Sequence, residues 1–171
     1  MNNRMVRILS NGKTYCGGFN TDGMASTLNL FTFLEPCGDP VLETMVLKDI
    51  EVGHVGTLAL DTNGTLYLFD AARVKYPREI GRNIVQFSYY KDMLTYLTQD
   101  QYLVTLKVPF DNMICKTFVA QNGIAELKQS LDATYYISAD RRQLFARGMN
   151  NYGELGVGSM FCLFFFFYFL F

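Results

Sequence analysis

An internal repeat of β-hairpins constrains this chain more than any other feature. Four segments share one plan, in which a short run of β-branched, aromatic and leucine residues leads through a polar turn into a second such run. The first runs from Met5 to Leu9, turns at Ser10-Asn11-Gly12-Lys13 and returns through Thr14-Tyr15-Cys16. The second is Thr57–Leu60, Asp61-Thr62-Asn63-Gly64, then Thr65–Phe69. The third is Leu94–Thr98, Gln99-Asp100-Gln101, then Tyr102–Leu106, and the fourth is Thr134–Ser138, Ala139-Asp140-Arg141-Arg142, then Gln143–Ala146. Residues of this kind suit a pleated, half-buried surface, and Asn-Gly between two runs meets the positive-φ demand of a tight hairpin.

Helices are hard to find. Gly123–Leu131 has passable helix propensity, but Ile84-Val85-Gln86-Phe87 precedes the third hairpin at the spacing by which Ile124-Ala125-Glu126-Leu127 precedes the fourth. That match predicts an additional strand before each hairpin. The turns, at Gly12, Gly64, Asp100 and Arg142, are separated by steps of about 36 to 52 residues, the size of a four-stranded propeller blade in a degenerate repeat. The expectation is an all-β fold, a partial β-propeller of about three blades of antiparallel strands with the start of another.

The most specific stretch follows the fourth hairpin: Gly148-Met149-Asn150-Asn151-Tyr152-Gly153-Glu154-Leu155-Gly156-Val157-Gly158. Glycines permit backbone angles closed to other residues, and Asn bonds nearby main chain and tolerates the left-handed region. This G-x-N-x-x-G-x-L-G-x-G pattern resembles the repeat of the regulator of chromosome condensation family. Gly18, Asn20 and Gly23 follow Gly12 as Gly148, Asn150 and Gly153 follow Arg142, and Tyr15 aligns with Phe145. Beyond that the first copy departs, with Ala25 and Ser26 in place of Leu155 and Gly156. In the second copy Gly64 and Tyr67 fit, whereas Asp70, Ala72 and Lys75 stand where Gly, Asn and Gly belong. Gly53 resembles the family's glycine before the hairpin, and Gly56 falls where the family often carries His. The third copy has no glycine after its hairpin.

The resemblance spans residues 1–159. It implies a seven-bladed propeller acting as a protein-interaction scaffold, or alternatively guanine-nucleotide exchange on a Ran-like small GTPase, the activity of the family's founding member. Exchange requires differential affinity for the nucleotide-free GTPase rather than a catalytic side chain. The partner is expected to be a protein, the location cytoplasmic or nuclear, and no cofactor is implied.

The chemistry-bearing residues point away from catalysis. His54 is the sole histidine, with no nucleophile or carboxylate set beside it in the sequence. Cys16, Cys37, Cys115 and Cys162 are scattered without the clustering a zinc site needs, and are read as reduced thiols of an intracellular protein. Gly17-Gly18 and the Gly153–Gly158 run lack the Lys-Ser/Thr and helix of a phosphate loop. Lysine and arginine total 15 against 16 acidic residues, so the basic excess of a nucleic-acid binder is absent. Arg73, Lys75, Arg78 and Arg82 form a local basic run, read as a solvated inter-strand segment, beside an acidic stretch carrying Glu35, Asp39, Glu43, Asp49 and Glu51. Tyr89, Tyr90, Tyr96, Tyr102, Tyr135 and Tyr136 are read as blade-packing core. The N-terminus leads into a strand-like stretch rather than an apolar signal core, which disfavours secretion.

Residues 160–171 break the composition with twelve consecutive apolar or aromatic residues. The run falls short of the ~20 residues a spanning helix needs, and its residues all have U-rich codons. It is read as translated non-coding sequence outside the domain, with a C-terminal membrane anchor as the rival reading disfavoured by length; the first leaves an open arc of blades with bare apolar faces and an expectation of poor solubility.

Overall fold

Each predicted hairpin pairs in the computed structural model, which describes residues 4–8, 14–19, 30–36, 44–53, 55–70, 77–108, 115–118, 123–130, 133–153, 155–156 and 169–170. The first is β1 (Arg4–Ile8) with β2 (Thr14–Phe19), in register from Arg4↔Gly18 to Ile8↔Thr14. The second is β5 (Gly56–Asp61) with β6 (Leu66–Asp70), the third β9 (Met93–Thr98) with β10 (Tyr102–Lys107), and the fourth β13 (Ala133–Ser138) with β14 (Gln143–Gly148). The extra strands expected before hairpins three and four are β8 (Ile84–Tyr90) and β12 (Ile124–Gln129), so the helical propensity of 123–131 yields to strand pairing.

Outer strands complete the sheets: β3 (Leu30–Pro36), β4 (Leu47–Val52), β7 (Arg78–Gly81), β11 (Cys115–Phe118) and β15 (Phe169–Leu170). Among the described residues there are four antiparallel meanders: β1-β2-β3, β4-β5-β6-β7, β8-β9-β10-β11 and β12-β13-β14-β15. Three have the four strands of a blade and one has three.

One expectation changes here. Part of the basic run is strand rather than connector, because β7 pairs with β6 at Leu66↔Gly81, Tyr67↔Glu79 and Leu68↔Arg78. Phe169–Leu170 pairs with β14 at Gln143↔Leu170 and Leu144↔Phe169. An open strand edge presents unpaired amides and carbonyls, and an adjacent extended segment satisfies them whatever its origin.

The chain divides into two compact units, Met1–Ile84 and Val85–Phe171. In the first unit β5 is buried along its whole length, as befits a strand covered on both faces. Leu47, Ala59 and Phe69 form a core cluster there, with Met45, Ile50 and Tyr67 packed against it. At the start of β5, a Cβ on Gly56 would collide with the Phe69 carbonyl oxygen, so this backbone admits only glycine here.

In the second unit the core lies between two sheets. Leu97 and Leu103 meet Leu127 and Tyr136, flanked by Val85, Ile124 and Phe145. Tyr136 stacks on Phe145, with ring centroids 4.6 Å apart and planes 10° from parallel. A buried polar patch joins the same two sheets. Thr95 and Thr134 both donate hydroxyl protons to Gln129 Oε1, at 2.5 and 2.6 Å, and Gln129 N donates to Ser88 Oγ at 3.0 Å.

Candidate interaction surface

The repeat motif forms the turn that leaves β14. Asn150 is fully buried at 0% exposure, and its Oδ1 accepts the Leu155 amide at 2.9 Å. Gly153 N donates to Asn150 O at 3.3 Å and Gly156 N to Gly153 O at 2.9 Å. Leu155 enters a cluster with Ala133 and Ala146, against which Tyr135 packs. Gly153 and Gly156 have φ of +80° and +67°, and a Cβ on either would meet nothing within 4 Å. Conformation, not space, therefore selects glycine at both positions.

With its base held from inside, the turn displays x positions of the motif outward. Tyr152 is 89% exposed and Met149 52%. Asn151 Nδ2 approaches Met149 Sδ at 3.9 Å. Sequence reasoning about tyrosines missed Tyr152. The available signal was its place in an "x" position of the motif, between a buried Asn and a positive-φ Gly.

Strand register places further groups at the same edge of this unit. The Gln129–Ser88 bond sets the end of β12 beside the end of β8, and Ala133 pairs with Gly148 where the motif turn begins. At the end of β8 stands Tyr90, 46% exposed, with Lys91 Nζ 5.8 Å from its ring centroid. Asp92 takes Lys107 in an ion pair at 3.5 Å, and its carbonyl accepts Val108 N at 2.7 Å. The edge thus offers two tyrosines, a methionine and lysine charge, the composition favoured at protein contacts apart from lysine itself.

The remaining tyrosines of the sequence reading are more enclosed. Tyr89 and Tyr136 are buried, while Tyr96, Tyr102 and Tyr135 are half-buried. Desolvation pushes the Tyr96 phenol above its ordinary range.

At the opposite strand ends the hairpins share one device. Asp61 Oδ1 accepts Thr65 N at 2.7 Å, Thr98 Oγ1 accepts Tyr102 N at 3.1 Å, and Ser138 Oγ accepts Gln143 N at 3.0 Å. Before each second strand a residue takes positive φ: Gly64 (82°), Gln101 (64°) and Arg141 (59°). The structural equivalents of Gly64 are therefore Gln101 and Arg141, each one residue from the Asp100 and Arg142 of the sequence alignment. Asp140 Oδ1 accepts the Ser138 hydroxyl at 2.5 Å and Arg142 N at 3.1 Å. The Ser138 bond first, and then the Arg142 amide, hold the Asp140 carboxyl below the usual carboxylate range.

Of the other residues singled out in the sequence, Gly18 lies in β2, paired with Arg4 and Phe31. Gly12, Asn20, Gly23 and Gly158 lie outside the described residues, as do His54, Cys37 and Cys162. Cys16 and Cys115 fall on β2 and β11, in different units. In the basic run, Arg82 makes a two-pronged pair with Glu79, Nε to Oε1 at 2.8 Å and Nη2 to Oε2 at 2.9 Å. That guanidinium is committed within the chain, and it holds the Glu79 carboxyl below its ordinary range. Among the described residues no group of three or more His, Cys, Asp or Glu is arranged for a metal ion. No helix among them is long and apolar enough to cross a membrane.

No family model and no curated protein matches the chain. Solved structures do. Human WBSCR16 is similar at a TM-score of 0.72 and 15% identity, over 96% of this chain and 50% of that one. Prp20p from Saccharomyces cerevisiae, whose structure was described with its binding properties to Gsp1p and histones, is similar at 0.66 and 15% identity, over 92% and 45%. The same yeast RCC1 (Prp20) in complex with Kap60 gives 0.65 at 15% identity, over 92% and 44%. The chain spans half or less of the length of each of these proteins. The meander sheets, the Asn-pinned motif turn and these likenesses together give the fold: a partial β-propeller of the regulator-of-chromosome-condensation type.

Proposed function

We propose that the chain is a non-catalytic protein-interaction scaffold, working in the cytoplasm or nucleus, whose contacts are made at the edge carrying Tyr90, Met149 and Tyr152. The observation that carries this reading is the motif turn. A fully buried Asn150 fixes the turn from beneath while Tyr152 stands 89% exposed at its tip. Aromatic side chains on a rigid base lose little entropy on binding and serve as anchors. A photo-crosslinking residue in place of Tyr152 should give one discrete adduct in cells, and the same probe at exposed Asp100, at the opposite strand ends, should not. Equal, diffuse labelling from both positions would sink the reading.

A second reading is guanine-nucleotide exchange on a Ran-like GTPase. It is supported by the fold shared with Prp20p, whose binding to Gsp1p was studied. Exchange would stabilise the nucleotide-free GTPase and leave the chain chemically unchanged. Release of a fluorescent guanine nucleotide from Ran-like and Rho-like GTPases tests it, and rates independent of added chain remove it.

A further inference from the structure

The tip joining β5 to β6 reads Thr62-Asn63-Gly64-Thr65, and its chemistry plays no part in the binding reading. Gly64 has φ of +82°, and a Cβ there would stand 3.1 Å from the Ile84 carbonyl oxygen. Backbone angle and space both demand glycine here. The matching tips carry Asp100-Gln101 and Asp140-Arg141, so the demand at Gly64 is what creates an Asn-Gly step in this hairpin. A glycine nitrogen is the least hindered nucleophile a preceding asparagine carboxamide can meet.

We propose that Asn63 is a site of spontaneous deamidation, which converts a neutral hairpin tip into an acidic one. Solvent base removes the Gly64 amide proton, and the nitrogen attacks Asn63 Cγ. The Cγ–Nδ2 bond breaks and ammonia leaves with a proton returned from water, closing a five-membered succinimide. Water then adds at either ring carbonyl and opens the ring to aspartate or isoaspartate. Water is the only co-reactant, and no atom changes oxidation state.

Two features of the tip favour the step. Asn63 and Thr62 are exposed, so water reaches the carboxamide, while base reaches the buried Gly64 amide as the tip opens. The Gly64 amide is held only by a bond of 3.2 Å to Asp61 O, at the long limit of the range. The product is poorly accommodated. In the fourth hairpin Asp140 meets a hydroxyl donor, Ser138. The residue equivalent to Ser138 in this hairpin is Asp61, a buried carboxylate engaged with Thr65 N. A new acid at position 63 therefore lies two residues from a like charge. Isoaspartate also lengthens the main chain by one methylene just before Gly64, whose carbonyl accepts Ile84 N at 2.9 Å.

The test is incubation of the full chain under native, mildly alkaline conditions, followed by peptide mass mapping and isoaspartyl methyltransferase labelling. The expected result is an amide-to-acid mass change on the Asn63 peptide, faster with rising pH and absent in Asn63→Ser. In the converted fraction, amide exchange at Thr65 and Ile84 should accelerate several-fold. An Asn63 that stays amidated while a free peptide of the same sequence converts overturns the site. Conversion without faster exchange at Thr65 and Ile84 overturns its effect on the hairpin.

Discussion

Replacing Asn150 by alanine tests the motif turn directly. The substitution removes the oxygen that accepts the Leu155 amide at 2.9 Å, at a residue with no exposed surface. A buried donor left without a partner costs about 1–3 kcal/mol. If the turn then lets Leu155 leave its cluster with Ala133 and Ala146, the lost burial adds about 1.5–3 kcal/mol. The hydrogen-bond loss alone, about 2 kcal/mol, corresponds to a melting shift of roughly 4–8 °C for a chain of this size. Thermal melting reads the global effect, and amide exchange at Leu155 reads the local one, rising before any change in the β13–β14 ladder. Asn150→Asp keeps the acceptor but buries a charge, so it should destabilise at neutral pH and recover as acid neutralises it. Unchanged Leu155 protection and unchanged melting in Asn150→Ala would refute the reasoning, because the motif Asn would then be ornamental to the turn.

Gln129→Ala strips the shared acceptor from the Thr95 and Thr134 hydroxyls and should cost about 1–3 kcal/mol. Adding Thr95→Val and Thr134→Val should recover part of that loss in chemical denaturation, since those two hydroxyls are then no longer stranded, although Thr105 Oγ1 loses its 2.9 Å partner Thr95 Oγ1. Arg141→Gly relieves a non-glycine residue at φ +59°; the left-handed cost of about 1–2 kcal/mol exceeds the ~0.5–1 kcal/mol of glycine entropy, so a small rise in melting temperature is expected. The Asp140 carboxyl is depressed by Ser138 and the Arg142 amide. Its contribution is present above the unfolded carboxylate range and is lost as pH falls through the lower folded value. Asp140→Asn should flatten that part of the stability profile between neutral and acidic pH, and a profile identical to that of the parent chain would show the bond to be idle.

The four hairpins were legible in the sequence because their signals are local. Thr57–Leu60 and Thr65–Phe69 flank an Asn-Gly turn, and the matched runs at Ile84 and Ile124 override weak helix propensity by repetition. The outer strands were not legible. Arg78-Glu79-Ile80-Gly81 in β7 and Cys115-Lys116-Thr117-Phe118 in β11 lack apolar alternation, and they become strands because a neighbour offers an open edge. The same physics draws Phe169–Leu170 onto β14. The exact turn residues were also hidden, since hydroxyls of Thr98 and Ser138 impose the turn and leave Gln101 and Arg141 to take positive φ without glycine.

By itself the sequence determined the all-β class, the hairpin repeat and the motif Gly148–Gly156, all of which rest on contacts within a few residues. Only the tertiary structure decided which sides of those elements are buried. It closed Asn150 and Leu155 inside, left Tyr152 and Met149 outside, and brought Gln129 from one sheet to Thr95 of another. Burial depends on residues distant in the chain, and a local pattern carries no record of which distant strand will cover it.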